Sequence, residues 1–269
     1  MTVAVPLRRA ADPRRAVPFV LAGLLVLTAI AYPLTAGSRR DAVSWAIVVL
    51  GAGLSVVHAV LSRGARTGAG VLGVVGGTAV AFEAVGLATG FPYGSYSYGD
   101  ALGPTLLGVP FLVPLAWLMM AWPSWLLAEW LTRPVRAGAR PLRVAVAASL
   151  FAAWDVVLDP QMVQAGYWTW AAPHPALPGI DTVPLTNLAG WLLAGVVLMG
   201  LLDVLISRTA TPGSPHIGAG APFLAMGWMT LGGALAHAGW LGLPGSAAWG
   251  AALAVPVLVA VVHRSRARR

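Results

Sequence analysis

Nine acidic residues are spread through a chain of 269 that is 58% apolar and only 10% charged. Their positions decide what each could do. Glu83 lies inside a long apolar run, about seven residues and so roughly 10 Å from the nearer end of a helix built on it. Asp155 and Asp159 close another apolar run, and a four-residue spacing puts both on one helical face. An ionisable group in hydrocarbon is costly, so each is a candidate for function. A carboxyl group at that depth without a cationic partner is expected to hold its proton. A neutral carboxylic acid in an apolar pocket is in turn a good general acid. The plainer alternative is that the aspartates cap helices and bond loop backbone, which suits Asp159, followed by Pro160, best. Glu129 and Asp203 sit near other run ends, where pairing with Arg133 and Arg208 accounts for them. Asp12 and Asp41 flank apolar runs.

Aromatic residues gather at the same level. Phe91, Tyr93, Tyr96, Tyr98 and Asp100 fall in one polar segment, 91–104. Tyr167, Trp168 and Trp170 fall in another, 160–183, and neither segment contains Lys or Arg. Taken singly, these aromatics fit an interfacial belt. Trp154, adjacent to Asp155 within an apolar run, fits better as a π face able to steady a carbocation. Gln161 and Asn187 join Tyr93, Tyr96, Tyr98, Asp100, Trp154 and Trp168 as candidate substrate contacts, Asn187 as a hydrogen-bond donor. Trp117, Trp122, Trp125 and Trp130 read as bundle packing or lipid-facing residues. His58, His174, His216, His237 and His263 show no ligand spacing, so no metal site is expected. His237, near a run end, could join the polar cluster. Absence of cysteine excludes thiol nucleophiles, iron–sulfur clusters and zinc–thiolate sites.

The elements that must position these groups are transmembrane helices. A span needs about 20 mostly apolar residues, and the runs predict eight: 17–36, 42–62, 70–90, 105–131, 143–159, 184–206, 219–239 and 246–263. The expected fold is an all-α integral membrane protein, one bundle of about eight helices forming a single domain. The first run is too long for the core of a signal peptide. All 17 basic residues are Arg. With eight spans, only Arg39 and Arg40 fall on one side and all the others on the opposite side. The positive-inside rule then places both termini in the cytoplasm and segments 91–104 and 160–183 outside, in a multi-pass protein of the plasma membrane. This distribution explains the net charge of +8 without nucleic acid, which would need a basic face on a soluble domain.

Three stretches carry a family resemblance: GFPYGSYSYGDALGPTLLGVPFLVPLAWLMMAWPSW from Gly90 to Trp125, AAWDVVLDPQMVQAGYWTW from Ala152 to Trp170, and VPLTNLAGWLL from Val183 to Leu193. Across residues 70–205 the chain resembles the bacterial and archaeal carotenoid biosynthesis membrane proteins, which include carotenoid 1,2-hydratases of the bisanhydrobacterioruberin hydratase type. The WD-x-x-x-DP-Q-M block is the most specific part. The resemblance implies addition of water across the terminal C1–C2 double bond of an acyclic (ψ) carotenoid end, with no cofactor. Expected partners are the lipophilic carotenoid, the bilayer and other enzymes of carotenoid biosynthesis. Glu83 is then expected to protonate the alkene, with Asp155 ionised to steady the cation or orient water. Three other readings stay open. Asp155-x-x-x-Asp159 could hold Mg²⁺ and a diphosphate in a membrane prenyltransferase, although the outer segments lack the cations a diphosphate needs. An end-group cyclase shares the protonation step. A pigment-binding or transport bundle needs no catalysis.

Overall fold

Apolar runs become helices wherever no Gly/Pro cluster interrupts them, because a backbone in lipid must satisfy its own hydrogen bonds. The structure, a computed structural model, describes residues 13–135, 137–209 and 217–266. Arg8, Arg9, Asp12, Arg136, His216, Arg268 and Arg269 lie outside the described residues. The helices are α1 (Ala16–Ala31), α2 (Ser38–Arg63), α3 (Ala65–Thr89), α4 (Leu112–Thr132), α5 (Ala139–Gln164), α6 (Leu185–Thr209), α7 (220–241) and α8 (Pro244–Arg266). Seven of them, α1 to α6 and α8, are long and apolar enough to cross a bilayer. Helix α7 is continuous but contains two π turns, Trp228–Gly232 and His237–Leu241. The chain is thus an all-α membrane bundle.

Two boundaries differ from those the sequence suggests. The fourth helix begins at Leu112 rather than near 105. The preceding residues form a small hairpin of β2 (Thr105–Leu106) and β3 (Val109–Pro110), turned by Leu107 and Gly108 at positive φ, as a two-residue hairpin loop requires. Helix α5 runs on past Pro160 to Gln164. Proline has no N–H, so it leaves the carbonyl four residues earlier without its helical donor. That carbonyl, on Val156, accepts a hydrogen bond from Ser246 Oγ of α8 at 3.1 Å. Pro123 within α4 is handled in the same way: Ser55 Oγ of α2 donates to the Met119 carbonyl at 3.3 Å.

Helix α4 is the centre of the bundle. It packs on α2, α3, α5 and α6, and 78% of its apolar window is buried, against 11% for α8. Trp117, Trp122 and Trp125 are fully buried there, so they face protein rather than lipid. At one end of the bundle the helix termini are joined by ion pairs. Arg63 meets Glu129 at 2.7 Å. Arg140, at 2.8 Å, and Arg143 both hold Asp203. The partner of Asp203 is therefore the start of α5, not Arg208 on its own helix. At the other end lie the two aromatic segments. There β1 (Tyr96–Tyr98) pairs antiparallel with β4 (Trp168–Trp170), in the register Tyr96 to Trp170 and Tyr98 to Trp168.

Candidate functional site

The β1–β4 pair turns its side chains to opposite faces with a period of two. Ser97 and Thr169 point out, and Tyr96, Tyr98, Trp168 and Trp170 point in. The inward face closes the end of a cavity of about 400 Å³ in the bundle interior. That size is within the range of small-molecule sites, about 300–1,000 Å³. Tyr98 and Trp168 meet edge to face at 6.0 Å, and Tyr96 and Tyr98 at 5.5 Å, geometries that aromatic quadrupoles favour. Opposite this lid, Trp117, Trp154 and Trp191 line the wall, with Phe151 packed behind Trp117 and Trp191 at 5.4 and 5.0 Å.

Glu83 reaches this cavity from α3 and is 5% exposed. Its Oε2 accepts hydrogen bonds from Tyr96 and Tyr98 at 2.5 and 2.7 Å. Burial, and then the neighbouring Glu83, hold both tyrosine hydroxyls far above the ordinary phenol range, so they act as neutral donors. Oε1 carries no hydrogen bond among the described residues, and Glu83 lines the cavity. Trp117 Nε1, buried and without a hydrogen-bond partner among the described residues, lies toward the same carboxyl without reaching hydrogen-bond geometry. The tyrosine segment can fold back this closely because α3 and α6 carry glycines under it. A Cβ at Gly86 would sit 2.9 Å from Tyr96 Oη, and one at Gly190 would overlap the Tyr93 ring. Tyr93 is thereby clamped between α3 and α6, and its buried hydroxyl has no partner among the described residues.

The aspartates divide. Asp159 lines the main cavity, accepting from Trp168 Nε1 at 3.2 Å and from Asn187 Nδ2 at 2.5 Å. Asp155, one turn earlier, does not line it. It lies behind, accepting from the same Asn187 Nδ2 at 2.8 Å, with no hydrogen bond to its Oδ1 among the described residues. One amide therefore bridges two carboxyl groups on successive turns of α5. Gln161 also lines the cavity. Its amide oxygen is 3.0 Å from His237 Nε2, and His237 Nδ1 is 2.8 Å from Ser246 Oγ. His237 thus joins the polar cluster through Gln161. On the far side Ser44 lines the cavity and lies 3.2 Å from Tyr167 Oη, which donates to Asp41 at 2.7 Å. A polar thread so connects the cavity to the half-buried Asp41.

Of the residues singled out from sequence, Glu83, Tyr93, Tyr96, Tyr98, Trp154, Asp159, Gln161, Trp168 and Asn187 all line the one cavity. Asp155 supports it from outside. Asp100 does not reach it: it is exposed at the start of a 3-10 turn, Asp100–Leu102. Asp181 is exposed as well. Trp117 and Trp191 were missed as wall residues, and so were Trp228 and Trp240 of α7. A run of tryptophans within α4 pointed to Trp117. Nothing local distinguished Trp191 from packing.

Two carboxyl groups, Glu83 and Asp159, on one apolar, tryptophan-walled cavity inside a helical bundle make a site suited to a lipophilic molecule. The chain belongs to the carotenoid biosynthesis protein family, whose model matches residues 43–260. Among curated relatives, bisanhydrobacterioruberin hydratase of Haloarcula japonica is 38% identical over 127 residues, covering 47% of this chain and 41% of that protein. The chain thus matches less than half of that relative's length. No solved structure matches it.

Proposed function

We propose that this protein is a carotenoid 1,2-hydratase that adds water across the C1–C2 double bond of a ψ end group. The observation that carries this reading is the placement of Glu83 and Asp159 on one apolar cavity, together with likeness to a relative named as a hydratase. Neutral Glu83 carries its proton on Oε1 and gives it to C2, forming the new C–H bond and leaving a tertiary cation at C1. Tyr96 and Tyr98 already donate to Oε2, so the negative charge that appears on the carboxyl group meets pre-set donors. Faces of Trp117, Trp154 and Trp191 surround the cation. Water attacks C1, and its second proton passes to Asp159. The sum is alkene plus water to tertiary alcohol, with nothing oxidised or reduced. The enzyme resets when a proton returns from Asp159 to Glu83 through water. Asp155 and Asn187 position Asp159, Asp155 from behind the cavity wall.

The described lining contains no Arg, Lys or His, which suits a hydrocarbon end group and not a diphosphate. With α7 crossing as an eighth span, the arginine-rich helix ends share the cytoplasmic side of the plasma membrane, and the β1–β4 lid faces outward. Reporter fusions after Arg133 and after Gly99 should then read opposite sides. The deciding experiment is expression in a lycopene-producing host, with extracted pigments weighed by mass spectrometry. A product one water heavier, with oxygen from labelled water, is expected. A product of unchanged mass means a cyclase, and label from O₂ means an oxygenase.

A further inference from the structure

The cavity is open on one side. Among its described lining residues, four are substantially exposed: Ile30 (44%), Leu34 (66%), Leu235 (65%) and Trp240 (62%). Ile30 and Leu34 belong to α1 and the turn that ends it, and Leu235 and Trp240 belong to α7. The carboxyl and amide groups of the lining sit elsewhere, on α3, α5 and α6. The chamber therefore has a polar, closed end and an apolar, open side. With α1 and α7 both crossing as spans, the exposed apolar side chains on that side turn the opening toward the bilayer.

Helix α7 is shaped for this. The α1 turn at Tyr32–Leu34 packs against the second π turn of α7, His237–Leu241. Trp228 opens the first π turn, and Gly232 closes it, both on the cavity lining. A π turn is wider than an α turn and is frequent at functional sites. Trp228, in the first π turn, and Trp240, in the second, both line the chamber, Trp240 at its exposed side. A chamber of about 400 Å³ holds an end group with a short length of chain. The rigid, conjugated remainder of a carotenoid would extend through the open side.

We infer that the opening between α1 and α7 is a lateral portal that holds the polyene chain of the substrate, with the end group in the chamber and the rest of the rod in the bilayer. This rests on the hydratase reading for which end group is bound, but the polyene site can be tested without turnover. The substrate enters and leaves sideways, and a two-ended carotenoid presents one end at a time.

The chain contains no cysteine, so single substitutions report cleanly. Leu34→Cys and Leu235→Cys place a thiol on the portal. Leu27→Cys, equally exposed on α1 (67%) but off the lining, is the control. Each purified variant is labelled with a membrane-permeant maleimide, alone, with an acyclic ψ-ended carotenoid, or with a saturated hydrocarbon of matched length. With carotenoid at about ten times its Kd, labelling at both portal positions should slow about tenfold by mass action, while Leu27→Cys is unaffected. Equal slowing at Leu27→Cys, no slowing at the portal positions, or equal protection by the saturated chain overturns the inference. Protection by the carotenoid without any hydrated product would leave the portal standing and remove the hydratase reading.

Discussion

Replacing Glu83 by Gln removes one transferable proton and little else. The amide oxygen can still accept from Tyr96 and Tyr98, which hold Oε2 at 2.5 and 2.7 Å, so the lid keeps its anchor and the cavity its shape. The amide left at the Oε1 position has hydrogens but cannot give one up to an alkene. General acids contribute about 10²–10⁴-fold, which corresponds to roughly 3–5 kcal/mol in the barrier. Glu83→Gln should therefore fall at least a hundredfold in initial rate, while its abundance in the membrane and its carotenoid binding stay at wild-type levels. The assay follows conversion of a ψ-ended carotenoid by chromatography, normalised to purified protein. Glu129→Gln is the control for a lost carboxylate: Glu129 pairs with Arg63 at the far end of the bundle, so its turnover should be unchanged. A Glu83→Gln rate within a few-fold of wild type would refute the assignment of the acid. If Asp159→Asn were inactive in that same experiment, Asp159 would be the acid and Glu83 would have no proton-transfer role.

Further consequences follow from contacts in and around the cavity. Asp159→Asn should lose about 10²-fold or more as the proton acceptor. Asp155→Asn, one turn behind the wall, should lose only about tenfold through poorer positioning, roughly 1.4 kcal/mol; equal losses would count against the division drawn between them. Tyr98→Phe removes one donor to the developing carboxylate, and a hydrogen bond to a charged group is worth about 1.5–3 kcal/mol. Its kcat should drop by one to two decades with KM little changed. Asp203→Asn strands Arg140 and Arg143 and should lower the unfolding temperature in detergent without altering specific activity. Breaking a buried pair costs at most about 3–5 kcal/mol, and the exposure of Arg140 (60%) places this case well below that.

The helices were legible because a span has to be apolar over its whole length, and that demand leaves a long signal. Glu83 was legible for the converse reason, as an acid where acids are costly, whereas the sequence favours Asp155 over Asp159, which beside Pro160 reads as a cap. Less could be read where position depends on distant chain. Tyr-Ser-Tyr at 96–98 and Trp-Thr-Trp at 168–170 alternate with the period of a strand, yet each is too short to stand alone, and their pairing joins segments some seventy residues apart. Asp155 and Asp159 share a helical face, so spacing alone could not say which of them meets the cavity; the lid and Asn187 decide it. Asp203 pairs across to α5 rather than with Arg208 because bundle packing, not nearness along the chain, sets its neighbours. The π turns of α7 leave no mark in a hydropathy pattern.

The two prolines inside α4 and α5 have a consequence for inheritance. Each leaves one carbonyl unsatisfied, and each is answered by a serine on another helix: Ser55 for Pro123 through Met119, and Ser246 for Pro160 through Val156. In lipid neither partner is neutral without the other. Losing the serine leaves a bare carbonyl, and losing the proline restores a helical N–H that competes for the same acceptor. Across relatives, a hydroxyl-bearing residue at 246 should therefore appear and vanish together with proline at 160, and likewise at 55 with 123. The second pair would be inherited as a matter of bundle architecture. The first should also track the chemistry, since Pro160 follows Asp159 directly and Ser246 also contacts His237, which reaches Gln161 on the cavity wall.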